Sequence, residues 1–131
     1  TFINDSKATS FQATKYALKN NKNIFWIFGG LPKIRDNFNL VGVSSNIIKS
    51  FIIGKRTNYF KNQVEKKIKY KISSNLKNAI KDVFKELISV KESNATVLLS
   101  PASASYDQFN NFAERGNQFK KIIKNYAKKF L

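Results

Sequence analysis

The chain has 131 residues and carries 24 Lys+Arg against 8 Asp+Glu, a formal charge of +16. This length suits one domain with a core of its own, and 42% hydrophobic with 14% aromatic residues excludes a disordered polypeptide. The absence of Cys and His excludes disulfides and thiolate metal sites, and removes the commonest general base and metal ligand.

In chain order, Thr1 to Ile3 reads as the end of a strand. Ser10 then caps a helix whose apolar positions are Ala13, Ala17 and Leu18. Ile24 to Phe28 is apolar at every position and stops at Gly29-Gly30, which predicts a strand buried on both faces. Phe51 to Ile53 repeats the pattern and stops at Gly54. Residues around Thr57 to Lys67 fit a helix with Phe60 and Val64 inward. Ile68, Tyr70 and Ile72 alternate with Lys69 and Lys71, a half-exposed strand whose lysines discourage edge pairing. Leu76, Ala79, Ile80, Val83, Phe84, Leu87 and Ile88 follow helical spacing. Ala95 to Leu99 predicts another buried strand, ended by Ser100-Pro101. A last helix gathers Phe119, Ile122, Ile123, Tyr126 and Phe130 on one face, with lysines at 120, 121, 124, 128 and 129 on the others. The alternation predicts an α/β fold with a mostly parallel sheet covered by helices. No apolar run approaches the roughly 20 residues of a membrane span, and no basic-then-apolar leader precedes the first strand.

Of the cations, 21 are Lys and 3 are Arg. Lys, Asn, Ile and Phe dominate together, and all four use A/T-rich codons, so much of the basicity is expected to follow genome composition. Nucleic-acid recognition leans on Arg, which makes a standalone basic nucleic-acid-binding domain the runner-up. A small ligand-binding regulatory domain is a third reading.

In an open α/β sheet, ligands bind beyond the carboxyl ends of the strands. Three polar segments follow predicted strands: Asn4 to Ser10, Gly29 to Lys33 and Ser100 to Phe109. A parallel sheet places them on one edge. Backbone N–H groups at helix starts, the hydroxyls of Thr9, Ser10 and Ser105, and the Lys33 ammonium suit an anion there. A molecule with two carboxylates fits two donor clusters. Each residue also has a plain structural role open to it: Thr9, Ser10, Ser105 and Asp107 as caps, Lys33 as a solvated lysine. The triphosphate cradle G-x-x-x-x-G-K-[ST] is absent, since Lys49 stands where Gly54-Lys55 needs glycine and Arg56 where it needs Ser or Thr. Gly29-Gly30 lacks the dinucleotide spacing, and no carboxylate cluster has metal-site spacing.

The strings NDSKAT (4–9), IFGGLPK (27–33) and LLSPASASYDQFNNFAERG (98–116) resemble the C-terminal domain of the Mur ligases. The last of them is similar to the D-glutamate-adding branch, the UDP-N-acetylmuramoyl-L-alanine:D-glutamate ligases. The likeness covers essentially the whole chain. It implies a Rossmann-like domain with helices on both faces, cut from a three-domain enzyme of peptidoglycan synthesis. The other two domains would hold the UDP-sugar and most of the ATP and Mg2+ site. In that reaction ATP converts the substrate carboxylate to an acyl phosphate, which the D-glutamate amine attacks. The resemblance assigns Thr9 and Lys33 to one carboxylate of D-glutamate. Ser105 and the backbone N–H of Phe112 go to the other, and Tyr106 lines the pocket. Asp5 and Lys7 face the nucleotide. It implies no catalytic residue and no metal ligand within this domain alone, hence an inactive fragment. The enzyme is expected to be cytoplasmic and monomeric, binding no specific nucleic acid and no membrane. Departures are Ser10 for a usual Asn, Ile34 and Arg35 where small residues are common, Ser103 for Cys and Ala113 for Glu.

Overall fold

A computed structural model describes residues 1–33, 35–90, 94–105 and 109–130. Five strands form one sheet: β1 (Phe2–Asn4), β2 (Ile24–Phe28), β3 (Ile47–Ile53), β4 (Tyr70–Ser74) and β5 (Thr96–Leu99). Their order is β1-β5-β2-β3-β4, and every pairing is parallel. Among the described residues there are four α-helices: α1 (Phe11–Lys19), α2 (Thr57–Val64), α3 (Leu76–Val90) and α4 (Phe112–Phe130). No described helix is long and apolar enough to cross a membrane.

β2 explains the layering. Its five residues, Ile24 to Phe28, are all buried, because alternate side chains leave opposite faces of the sheet. Ile24, Trp26 and Phe28 join Phe11 and Leu18 of α1 and Phe60 and Val64 of α2. Phe25 and Ile27 join Leu76 to Phe84 of α3 and Phe119 and Ile123 of α4. So α1 and α2 cover one face, α3 and α4 the other.

Several sequence expectations shift. In α1 the buried positions are Phe11, Thr14 and Leu18, while Ala13 is exposed; the bulky Phe11 ring claims the core and turns Ala13 outward. β3 begins four residues earlier than Phe51, at Ile47, and α2 ends at Val64. In β4, Ile72 is 40% exposed, while Lys69 and Lys71 are exposed as expected, Lys71 also pairing with Asp82 of α3 at 3.1 Å. Ile88 is exposed near the end of α3. The side chain of Phe130 lies outside the described residues.

Among the described residues, the connection from β2 to β3 contains no α-helix, only a 3-10 turn at Ser44–Asn46. It is held instead by Phe38, Leu40 and Val43, all buried against the α1/α2 face. Phe38 stacks on Phe11 with ring centroids 4.5 Å apart and reaches the rings of Phe28 and Phe60 at 5.9 and 6.0 Å. Burial of one such side chain stabilises by about 1.5–3 kcal/mol. The segment before Phe38, which carries Lys33, is therefore tethered at both ends.

Gly29 ends β2 with φ +127°, and a Cβ there would lie 2.0 Å from the Ile53 carbonyl oxygen. The neighbouring backbone cannot give way cheaply. Gly29→Ala is expected to lower stability by about 1–3 kcal/mol, seen as a fall in the urea midpoint. An unchanged midpoint would contradict the close approach.

Candidate functional site at the carboxyl ends of β1, β5 and β2

The connections leaving β1 and β2 carry α1 and Phe38 onto one face, whereas β5 leads to α4 on the other. β5 lies between β1 and β2. The chain therefore diverges to opposite faces at their carboxyl ends, the place where open α/β sheets bind ligands. Backbone hydrogen bonds stitch the three segments together. Asp5 N–H donates to Leu99 O at 2.7 Å, Gly29 N–H to Pro101 O at 3.0 Å, and Leu31 and Ala104 exchange N–H···O bonds of 2.9 and 3.2 Å. Gly30 is required there, because a Cβ would come within 2.4 Å of Ala104 O.

Thr9, Lys33 and Ser105 stand on these three segments, Thr9 and Lys33 exposed and Ser105 buried. Ser10 is the N-cap of α1, its Oγ accepting from Ala13 N–H at 3.3 Å. The Asp36 carboxylate accepts from Phe11 N–H at 2.8 Å. The expected free amides at the start of α1 are thus partly taken, by a carboxylate of the chain itself. A charge-assisted bond of this kind contributes about 1.5–3 kcal/mol, and the positive end of the helix favours it further. An anion placed beside α1 would compete with Asp36 for the Phe11 N–H.

Asp5 and Lys7 line a cavity of about 650 Å³ between β1 and α1, together with Ile3, Ala13 and Tyr16. Asp5 Oδ2 accepts from the Ser100 hydroxyl at 2.7 Å, which fixes its carboxylate at the rim. Lys7 also borders a smaller cavity of about 210 Å³ with Asn4, Ser6, Phe112 and Gly116. Phe112 is the first residue of α4, so its N–H has no acceptor within the helix. Asn111 Oδ1 accepts from Glu114 N–H at 2.8 Å, and Glu114 Oε2 accepts from Asn110 N–H at 3.2 Å. Tyr106 and Asp107 lie outside the described residues.

One residue of this rim escaped the sequence reading. Arg115 is fully buried. Its guanidinium donates to Ser6 Oγ at 2.9 Å, Ser6 O at 2.6 Å and Ser103 O at 2.9 Å. Ser6 Oγ in turn donates to Phe112 O at 2.6 Å. Arg115 therefore joins the segment after β1 to the segment after β5. The available signal was position: Arg115 and Gly116 occupy the apolar face of α4, four and three residues before Phe119. Gly116 leaves room for Asn4, whose side chain a Cβ would meet at 2.8 Å.

Among the described residues, no three or more Asp or Glu side chains gather in a way that could hold a metal ion.

A doubly wound, all-parallel α/β sheet with a polar rim at its switch point defines a ligand-binding domain of Rossmann-like type. No family model matches the chain. Curated relatives do. It is 40% identical over 129 residues to a UDP-N-acetylmuramoylalanine--D-glutamate ligase of Wolbachia sp. subsp. Brugia malayi, covering 98% of this chain and 26% of the relative. It is 39% identical over 122 residues to the ligase of that name from Nitrobacter winogradskyi, covering 93% and 26%. The ligase of that name from Wolbachia pipientis wMel is 40% identical over 124 residues, covering 95% and 24%. The chain belongs to the UDP-N-acetylmuramoylalanine--D-glutamate ligase family and spans about a quarter of the length of these relatives.

Proposed function

We propose that this chain is the C-terminal, D-glutamate-binding domain of an ATP-dependent ligase of peptidoglycan synthesis. That ligase adds D-glutamate to UDP-N-acetylmuramoyl-L-alanine through an acyl phosphate. The observation that carries the reading is the rim itself. The segments bearing Thr9, Lys33 and Ser105 meet at the switch point of a sheet, in a chain whose relatives bear that ligase name.

Thr9 and Lys33 receive one carboxylate of D-glutamate. Ser105 and the Phe112 N–H receive the other, and Tyr106 closes the pocket. Two separated donor clusters match a dianion, and charge-assisted hydrogen bonds supply both affinity and orientation. Asp5 and Lys7, on the larger cavity, turn toward the nucleotide when this domain closes on the others. The donor set does not fit a magnesium centre, because the rim carboxylates are separately engaged: Asp5 by Ser100 and Asp36 by Phe11. ATP and Mg2+ belong mainly to the central domain. The ligase works in the cytoplasm as a monomer, without a nucleic-acid or membrane partner. One form of the runner-up, a single-strand binder, stacks bases on exposed aromatic platforms. Most of the described aromatics here, Trp26 and Phe25, Phe28, Phe38, Phe51, Phe60, Phe84 and Phe119 among them, are buried in the core, and the exposed ones are Phe2, Tyr16 and Phe112.

The 131-residue chain alone, given UDP-N-acetylmuramoyl-L-alanine, ATP and D-glutamate, is expected to form no product by liquid chromatography. Turnover by the chain alone would overturn its dependence on further domains.

A further inference from the structure

We propose that Asp36 is a positioning residue for D-glutamate, clasping the turn that carries Lys33 to the start of α1 and so setting the spacing between Lys33 and Thr9. The inference rests on the function proposed above and names a residue to which the family resemblance gives no role.

Every polar group of Asp36 is used to this end. Its backbone N–H donates to Lys33 O at 3.0 Å, which closes the turn. Its carboxylate accepts from Phe11 N–H at 2.8 Å, two residues beyond Thr9. Its carbonyl accepts from the Tyr59 hydroxyl at 2.8 Å and from Gln63 Nε2 at 3.5 Å, both on α2. Gln63 also accepts from Phe38 N–H at 3.2 Å, just past the turn. Arg35 sits within this turn at φ +65°, a left-handed conformation that a non-glycine residue holds only when its surroundings impose it. Lys33 is exposed on a long flexible stem. Its backbone is held by the Asp36 turn, between the Leu31–Ala104 pairing on one side and Phe38 stacked on Phe11 on the other.

Asp36 also bears on which donors the rim offers. Its carboxylate occupies the first amide of α1, so the substrate carboxylate is directed to the Thr9 hydroxyl and the Lys33 ammonium. Geometry, not the charge of Asp36, is what the clasp provides. Asparagine keeps a carbonyl acceptor for Phe11 N–H and should serve nearly as well, whereas alanine should not.

The test uses the full-length ligase that carries this chain, with KM measured separately for D-glutamate and for ATP. Asp36→Ala is expected to raise the D-glutamate KM roughly tenfold and leave the ATP KM within about twofold, because misplacing one binding group affects its own ligand. Asp36→Asn should stay within about threefold of the unmodified enzyme for both. In a Lys33→Ala background, Asp36→Ala should add little, since the two residues act as one unit. An unchanged D-glutamate KM in Asp36→Ala, equal rises for both substrates, or full additivity in the double variant would each overturn the proposal. If Asp36→Ala does not fold, Tyr59→Phe takes its place. It removes one donor from the Asp36 carbonyl and should raise the D-glutamate KM about threefold, and no change would count against the clasp. If Lys33→Ala itself leaves the D-glutamate KM unaltered, the assignment of the site fails. If Lys33→Ala acts and Asp36→Ala does not, the positioning role alone fails.

Discussion

Lys33→Ala is expected to abolish the chemical-shift response of this chain to D-glutamate. In the full-length ligase it should raise the D-glutamate KM by roughly ten- to hundredfold, the range of one charge-assisted hydrogen bond. Lys33 is exposed, yet its backbone is fixed by the Asp36 turn and by Phe38 stacked on Phe11 at 4.5 Å. A lysine held this way pre-pays part of the ordering cost of binding, which a free surface lysine does not. The chain has 21 lysines, so the control is built in. Lys120→Ala, on the exposed side of α4, removes the same charge far from the rim and should leave the response intact. Equal losses in both variants would reduce the effect to bulk charge. A full response in Lys33→Ala would remove Lys33 from the site.

Arg115→Ala is expected to cost about 3–5 kcal/mol of stability, a large share of the ~5–15 kcal/mol that holds a domain of this size together. The guanidinium is fully buried, and its loss leaves Ser6 O and Ser103 O without these donors in a space that water does not reach. Arg115→Lys should recover little. One ammonium cannot span Ser6 and Ser103 as a planar fork does, and a buried ammonium is more strongly penalised. Urea unfolding of the three proteins measures this directly. If the lysine variant matches the unmodified chain, the fork geometry is not what matters. Loss of Arg115 should also weaken D-glutamate binding, because Ser6 and Phe112 are linked through the same network.

The sheet was legible because β2 and β5 are apolar at nearly every position, a pattern that a strand covered on two faces demands. Parallel order then followed from strand–helix alternation, and the rim from the three polar segments. Less was legible where one side chain displaced another. Ala13 has the right spacing to face inward, but Phe11 fills that space. Ile72 lies on the edge strand β4 and Ile88 near the end of α3, and both are left exposed at the margins of the layers. The roles of Asp36 and Arg115 were hidden for a different reason. Each partners backbone groups more than twenty residues away in at least one contact, and a carbonyl or amide leaves no trace in the amino-acid letters. Isolated charges on a chain this basic read as solvated until the fold brings their partners near. The Ser10 cap, a local contact three residues long, was readable from the start.

Trp26 is the chain's lone tryptophan, wholly buried in β2, and its indole N–H donates to Ser100 O at 2.8 Å. Ser100 Oγ also lies 2.9 Å from Thr14 Oγ1, so the indole is wired to the opening turn of α1 as well as to Asp5. Its emission wavelength depends on the polarity around that N–H. The protein thus carries an internal optical gauge of its own rim, readable without a label.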